Sequence, residues 1–213
     1  MRNPSAQFGL GTIVLASTSP RRRSLLSDAG IAHVALSPGV DDGELRPSAG
    51  VSPEAWVMAL AHLKARAGAD HPEAAEAGVV VGADTVCVFE GSIVGQPADE
   101  AEARAMISAM SSARHEVLTG VAMLDTGTGA RSVFFDRAVV DVGEIGEAVI
   151  ETYVASGEWR GKAGGYNLLD RVNAGWPITW AGDATSIMGL PMDRVVPMLT
   201  RGAPRSSDLG DPV

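Results

Sequence analysis

Three consecutive arginines, Arg21-Arg22-Arg23, follow Ser17-Thr18-Ser19-Pro20. Ser19 suits a helix N-cap, because its hydroxyl can accept from a free amide of the first turn. Pro20 suits the first helical position, where no N–H is needed. The cations therefore fall at a helix N-terminus, which is already partly positive and ordinarily attracts Asp or Glu. Two readings are open. In one, backbone amides and guanidinium forks converge on the phosphate oxygens of a highly charged anion such as a triphosphate. In the other, this is a solvated basic turn, held against the helix dipole at about 0.3–1 kcal/mol per charge. Successive helical residues diverge by about 100°, so the three side chains cannot all face one ligand. Arg21 and Arg22, nearest the free amides, are the candidates.

A second anomaly is Asp84, the one carboxylate within the apolar run of residues 79–89. A buried ionised carboxylate needs a cation, a metal or a set of amides. Asp84 either activates water, as general base or through a hard cation, or is a structural residue at a strand break. Asp41, Asp42 and Glu44 offer oxygen ligands of the kind Mg²⁺ and Mn²⁺ prefer, although an acidic loop is also a normal solvated feature. His115 stands at a strand entrance, where a structural role is ordinary, and His33, His62 and His71 show no metal spacing. The single cysteine, Cys87, lies in a strand-like run and reads as a core thiol.

The elements that must carry these residues follow from periodicity. A first strand at residues 13–15 leads into the Ser19-capped helix, and a second strand is expected at 31–36. Ser52-Pro53-Glu54 repeats the cap-and-proline start, with Val57, Leu60, Leu63 and Ala67 as its apolar stripe and Lys64 one residue from it. Residues 79–89 form a buried strand that turns at Glu90-Gly91-Ser92 into a hairpin. Asp99 and Glu102 have the spacing of a capping box, opening a helix through Met110. Strands are expected at 115–124 and 132–142, a helix at 147–156, a strand near 178–180 and a last helix after Pro191. Alternating strands and helices with hairpins between them give an α/β fold around a mixed sheet.

The 213 residues suffice for one domain, or for two small lobes sharing a sheet, spanning 1–201. The segment from Gly202 lacks periodicity and is expected to be a flexible tail. A net charge of −9 excludes a general binder of nucleic-acid polymers, and an anionic ligand would need a local positive pocket. Arg2 ahead of a glycine-broken apolar run makes a poor export signal. No apolar stretch approaches the roughly 18 residues of a membrane helix, so a soluble, intracellular protein that does not associate with membranes is expected.

With these residues in view, the sequence resembles the Maf family of nucleoside triphosphate pyrophosphatases. The landmarks are LASTSPRR (15–22), LAHLKA (60–65), GADTV (82–86), GQP (95–97), HEVLTG (115–120), GKAGGY (161–166) and MGLP (188–191), in that order. The resemblance implies a mixed central sheet flanked by helices, with two lobes and a cleft between them, as in inosine triphosphate pyrophosphatase-like folds. It implies hydrolysis of a nucleoside triphosphate to the monophosphate and pyrophosphate with Mg²⁺ or Mn²⁺, in a cytoplasmic homodimer. Carried over residue by residue, Asp84 becomes the proton acceptor; Asp84 and, from the acidic loop, Asp42 are the candidate metal ligands. Ser17, Arg21, Arg22, Lys64, Thr85 and Lys162 become substrate-binding residues. Thr85 and Arg21 fall at positions linked to nucleotide choice, and the Ala83-Asp84-Thr85 triplet resembles the branch acting on dTTP and UTP.

The same resemblance marks departures. Gln96 stands where the family has Lys, Gly161 where it has Asp, and Leu169 where it has a Gln linked to base recognition. Ser186 replaces an Asn and Ala138 a Thr. Two functions are compatible with this pattern: an active pyrophosphatase with altered base preference, or a nucleotide-binding regulator with a degenerate site. Trp159 and Arg160, beside the altered loop, are either base-stacking or packing residues.

Overall fold

A computed structural model describes residues 12–40, 45 and 47–200. Asp41, Asp42 and Glu44, and the expected tail from Gly202, lie outside the described residues. Seven strands form one mixed sheet in the order β2-β1-β3-β5-β6-β7, with β4 paired to β3. The strands are β1 (Ile13–Ala16), β2 (His33–Leu36), β3 (Val79–Phe89), β4 (Ser92–Val94), β5 (Arg114–Asp125), β6 (Arg131–Val142) and β7 (Ile178–Ala181). The helices are α1 (Pro20–Asp28), α2 (Pro53–Ala69), α3 (Glu100–Met110), α4 (Glu147–Ser156), α5 (Leu168–Asn173), α6 (Ala184–Ile187) and α7 (Met192–Thr200). β1 runs parallel to β2 and β3, and the remaining pairings are antiparallel.

The helix starts follow from side-chain chemistry. Ser19, Ser52 and Asp99 each accept from an amide of the first turn of α1, α2 and α3, contributions of about 1 kcal/mol apiece. Glu102 completes the α3 cap by accepting from the Ala98 amide at 2.8 Å. α4 ends at Gly157, whose φ of 71° lies in the left-handed region that terminates helices.

β3 alternates between two environments, as a strand must. Val80, Gly82, Val86 and Val88 face α2, whereas Val79, Val81 and Ala83 face a core built with Leu25 and Leu26 of α1 and Val195 of α7. α2 lies very close to the sheet. A Cβ on Gly82 would meet the Ala61 carbonyl and the Ala65 amide, and one on Gly120 would meet the Val57 carbonyl. The buried stripe of α2 is accordingly Val57, Leu60, Ala61, Ala65 and Gly68, and Leu63, expected on that stripe, is 42% exposed. Where the helix backbone rests on Gly82, the contact residues are the small Ala61 and Ala65.

The face opposite α2 carries two separate cores. One joins α1 and α7 to Val79, Val81, Val121, Met123 and Phe134. The other joins α3 and α4 to Val117, Val140 and Val142. Between them Thr85 sits opposite Thr119, and Thr119 opposite Asp136, so a polar band crosses the continuous sheet where the lobes meet.

Candidate active site

The outer edge of β3 is shared by two short strands that do not meet. β1 accompanies it as far as Gly82, and β4 begins at Cys87. Around Asp84 and Thr85 that edge is open, directly beyond the C-terminal end of β1 and beside the N-terminus of α1. A crevice at strand ends, where the chain order of a sheet switches, is where α/β proteins place ligands. Asp84 points to the α2 face and Thr85 to the other, yet both line one cavity of about 370 Å³. The open edge lets side chains from the two faces reach the same space.

Four cations line this cavity, Arg21, Arg22, Lys64 and Lys162, against one carboxylate among the described residues, Asp84. Arg23 is exposed and does not line it. The local excess of positive charge stands within a chain of net charge −9. Lys64 Nζ donates to Asp84 Oδ1 at 2.6 Å, with side chains only 12% and 9% exposed. The ion pair compensates the burial of the carboxylate, which would otherwise be strongly unfavourable. α2 can bring Lys64 there only because Gly82 and Gly120 let it approach.

Arg22 is held through its guanidinium by bonds to three described residues. Nε donates to the Gly189 carbonyl at 2.8 Å, Nη1 to Ser17 Oγ at 3.2 Å and Nη2 to Thr85 Oγ1 at 3.1 Å. Ser17 is thus behind Arg22, 5% exposed, rather than in the wall of the cavity. Gly189 has a φ of +108°, and a Cβ there would lie 2.9 Å from Arg22 Nε, so glycine is required on both counts. Arg21 is exposed at the rim, and Lys162 lies across the cavity with Nζ 3.8 Å from Asp170 Oδ2.

The far side is formed by Gly161, Ala163, Tyr166, Asn167 and Leu168, together with His115 and Val117 of β5. His115 Nε2 and the Tyr166 hydroxyl are hydrogen-bonded at 3.0 Å, and His115 Nδ1 is buried with no hydrogen-bond partner. Burial pushes the imidazole down to about 4, opposed by the Asp141 carboxylate, so it is neutral at physiological pH. Cys87 also lines this side, and burial pushes its thiol up to about 12, which makes it an inert wall residue.

Comparison with known proteins decides the family. The model of the Maf-like protein family matches residues 12–202. The chain belongs to the Maf family. A dTTP/UTP pyrophosphatase of Pelotomaculum thermopropionicum is 39% identical over 189 residues, 89% of this chain and 95% of that protein. One of Symbiobacterium thermophilum is 38% identical over 190 residues, covering 89% and 93% of the two chains. One of Salinibacter ruber is 37% identical over 195 residues, 91% of each.

The departures from the family pattern divide by place. Gln96 and Gly161 line the cavity, so these two changes alter its walls. Leu169 packs against the core of the second lobe, and its neighbour Leu168 reaches the cavity instead. Ala138 is fully buried beneath Gly182, and Ser186 is fully buried with a hydroxyl that finds no partner. Trp159 is a core residue, 2% exposed, with Nε1 donating to the Val154 carbonyl at 3.0 Å, and Arg160 stacks on its ring. Neither lines the cavity, which leaves the packing reading of the pair.

Sequence reasoning treated His115 as structural and passed over Thr119, Gly189 and Tyr166. The MGLP landmark containing Gly189 was a usable signal, since a glycine required for close approach commonly marks a site. Thr119 had none beyond its place in the HEVLTG landmark.

Proposed function

We propose that the chain is a nucleoside triphosphate pyrophosphatase acting on dTTP and UTP, releasing the nucleoside monophosphate and pyrophosphate. The observation that carries this reading is the cavity with four cations around one buried carboxylate among the described residues, in an acidic chain. The relatives, dTTP/UTP pyrophosphatases, support the same reaction and substrates. Arg21, Arg22 and Lys162 grip phosphate oxygens, with guanidinium forks suited to planar, paired contacts. Water attacks a phosphorus of the α–β anhydride, the bond to the bridging oxygen breaks, and Asp84 takes the proton of the water. Lys64 holds Asp84 in place and balances its charge. Such phosphoryl chemistry depends on positioning and charge stabilisation rather than on a covalent nucleophile.

A divalent cation fits this donor set. Among the described residues no group of three or more His, Cys, Asp or Glu could hold a metal alone, and Asp84 is the one carboxylate at the cavity. Mg²⁺ is commonly held by one or two carboxylates together with substrate phosphates. Asp84 would hold it here jointly with the triphosphate, and when bound it would neutralise charge on the phosphates.

The test is a panel of ribo- and deoxyribonucleoside triphosphates with Mg²⁺ or Mn²⁺. Turnover of UTP and dTTP well above that of purine nucleotides is expected. Retention of nucleotide with no turnover of any would replace the enzyme by a binding protein.

A further inference from the structure

We propose that Thr119, a buried residue that does not line the cavity, positions Arg22 for anion binding through a one-way relay of hydroxyl groups. The inference rests on the cavity as the phosphate site, as read above. Thr119 Oγ1 lies 2.7 Å from the Ser186 carbonyl, which can only accept, so the single hydroxyl proton of Thr119 is committed there. Thr85 Oγ1 lies 2.9 Å from Thr119 Oγ1, and with the Thr119 proton already used, Thr85 is the donor in that pair. The Thr85 proton is then also committed. Arg22 Nη2, which can only donate, fills an acceptor position on Thr85 at 3.1 Å. The polarity of the whole chain is therefore fixed: Arg22 to Thr85 to Thr119 to the Ser186 carbonyl.

Two consequences follow. Thr85 lines the cavity, but it has no proton to give a ligand, and its hydroxyl serves Arg22. The segment from Ser186 to Gly189 is tied at both ends to this system, since Ser186 accepts from Thr119 and Gly189 accepts from Arg22 Nε. The guanidinium plane is thus set by a strand, a loop and the Ser17 hydroxyl together. Thr119 is wholly buried at the middle of β5, opposite Thr85 in register. A hydroxyl at that position is explained by the relay, which requires an acceptor for the Thr85 proton.

The test measures pyrophosphate affinity by calorimetry in Thr119→Val, Thr119→Ser and Arg22→Ala proteins and in the Thr119→Val/Arg22→Ala double variant. Thr119→Val should weaken pyrophosphate binding by about 10- to 100-fold, by analogy with the loss when a group that orients a metal-binding side chain is removed. Thr119→Ser, which keeps the hydroxyl, should restore it. In the Arg22→Ala background, Thr119→Val should have no further effect, because Arg22 is the group it acts through. If Thr119→Val does not fold, Thr85→Val at its less buried position replaces it, with the same expectation. Equal losses for Val and Ser, or a full additional loss in the Arg22→Ala background, would overturn the relay. Failure of the wild-type protein to hydrolyse UTP, with this affinity pattern intact, would count against the proposed reaction and leave the relay standing.

Discussion

At the scale of single residues, the site is built from side chains placed where elementary chemistry disfavours them. Cations at a helix N-terminus and a carboxylate in an apolar strand are visible in sequence because each violates a local rule, and the violation asks for a ligand. Thr119 breaks no rule, since threonine is at home in a strand. Its role arises from register, which sets it opposite Thr85, and from the Ser186 carbonyl 67 residues away in the chain. If Asp84 accepts a proton, Asp84→Asn should lower pyrophosphate release by about 10²–10⁴-fold, with little change in pyrophosphate affinity. A coupled phosphate assay checks this, and undiminished turnover would remove Asp84 from the chemistry.

His115 allows a prediction about stability at the same scale. An unfolded histidine titrates near 6.5, whereas burial holds His115 at about 4 in the folded protein. Above pH 6.5 both states are neutral and stability is complete. As pH falls toward 4, the unfolded chain takes up a proton that the folded one refuses, so stability is lost through that window by about 3 kcal/mol at most. His115→Gln, which can still bond Tyr166, should flatten this part of the pH dependence. Urea midpoints at pH 7 and pH 4.5 for both proteins measure it, and parallel losses would show that His115 is not the cause.

At the scale of elements, the decisive contact is α2 against the sheet at Gly82 and Gly120. The helix was legible from its cap and its apolar residues, but Leu63 was placed on the wrong side. Hydrophobic periodicity assumes that the largest apolar residues face inward, and here the closeness of the backbones places Ala61, Ala65 and Gly68 on that face beside Val57 and Leu60 and leaves Leu63 outside. α5 and α6 were not foreseen, since their six and four residues give periodicity too little length to show. Their signals are the caps Asn167 and Asp183, which read equally well as turn residues. Gly120→Ala should push α2 from the sheet, destabilise the fold by about 3 kcal/mol and displace Lys64 from Asp84. Chemical denaturation checks the first effect, and an unchanged midpoint would refute the close-packing account.

At the scale of the whole molecule, the sheet carries two cores on the face opposite α2, and the cavity lies at the polar band between them. Alternating strands and helices foretold the α/β class, and the family landmarks foretold two lobes. The gap between β1 and β4 along β3 was not legible, because local sequence does not say which strands share an edge. A ligand in this cavity touches residues of both lobes, so binding should stabilise the folded chain as one unit. A non-hydrolysable UTP analogue at 100 times its dissociation constant should add about 2.7 kcal/mol, raising Tm by about 5–10 °C in a single transition. A shift confined to one of two transitions would mean that the lobes unfold independently.

The most direct test of the account is the identity of the products when the protein hydrolyses UTP with Mg²⁺, followed by phosphorus NMR. Attack at the α–β anhydride, with the charged cavity holding the leaving group, predicts UMP and pyrophosphate in equal amounts from the first turnover. UDP and orthophosphate would place the broken bond at the γ phosphate and contradict the assigned reaction.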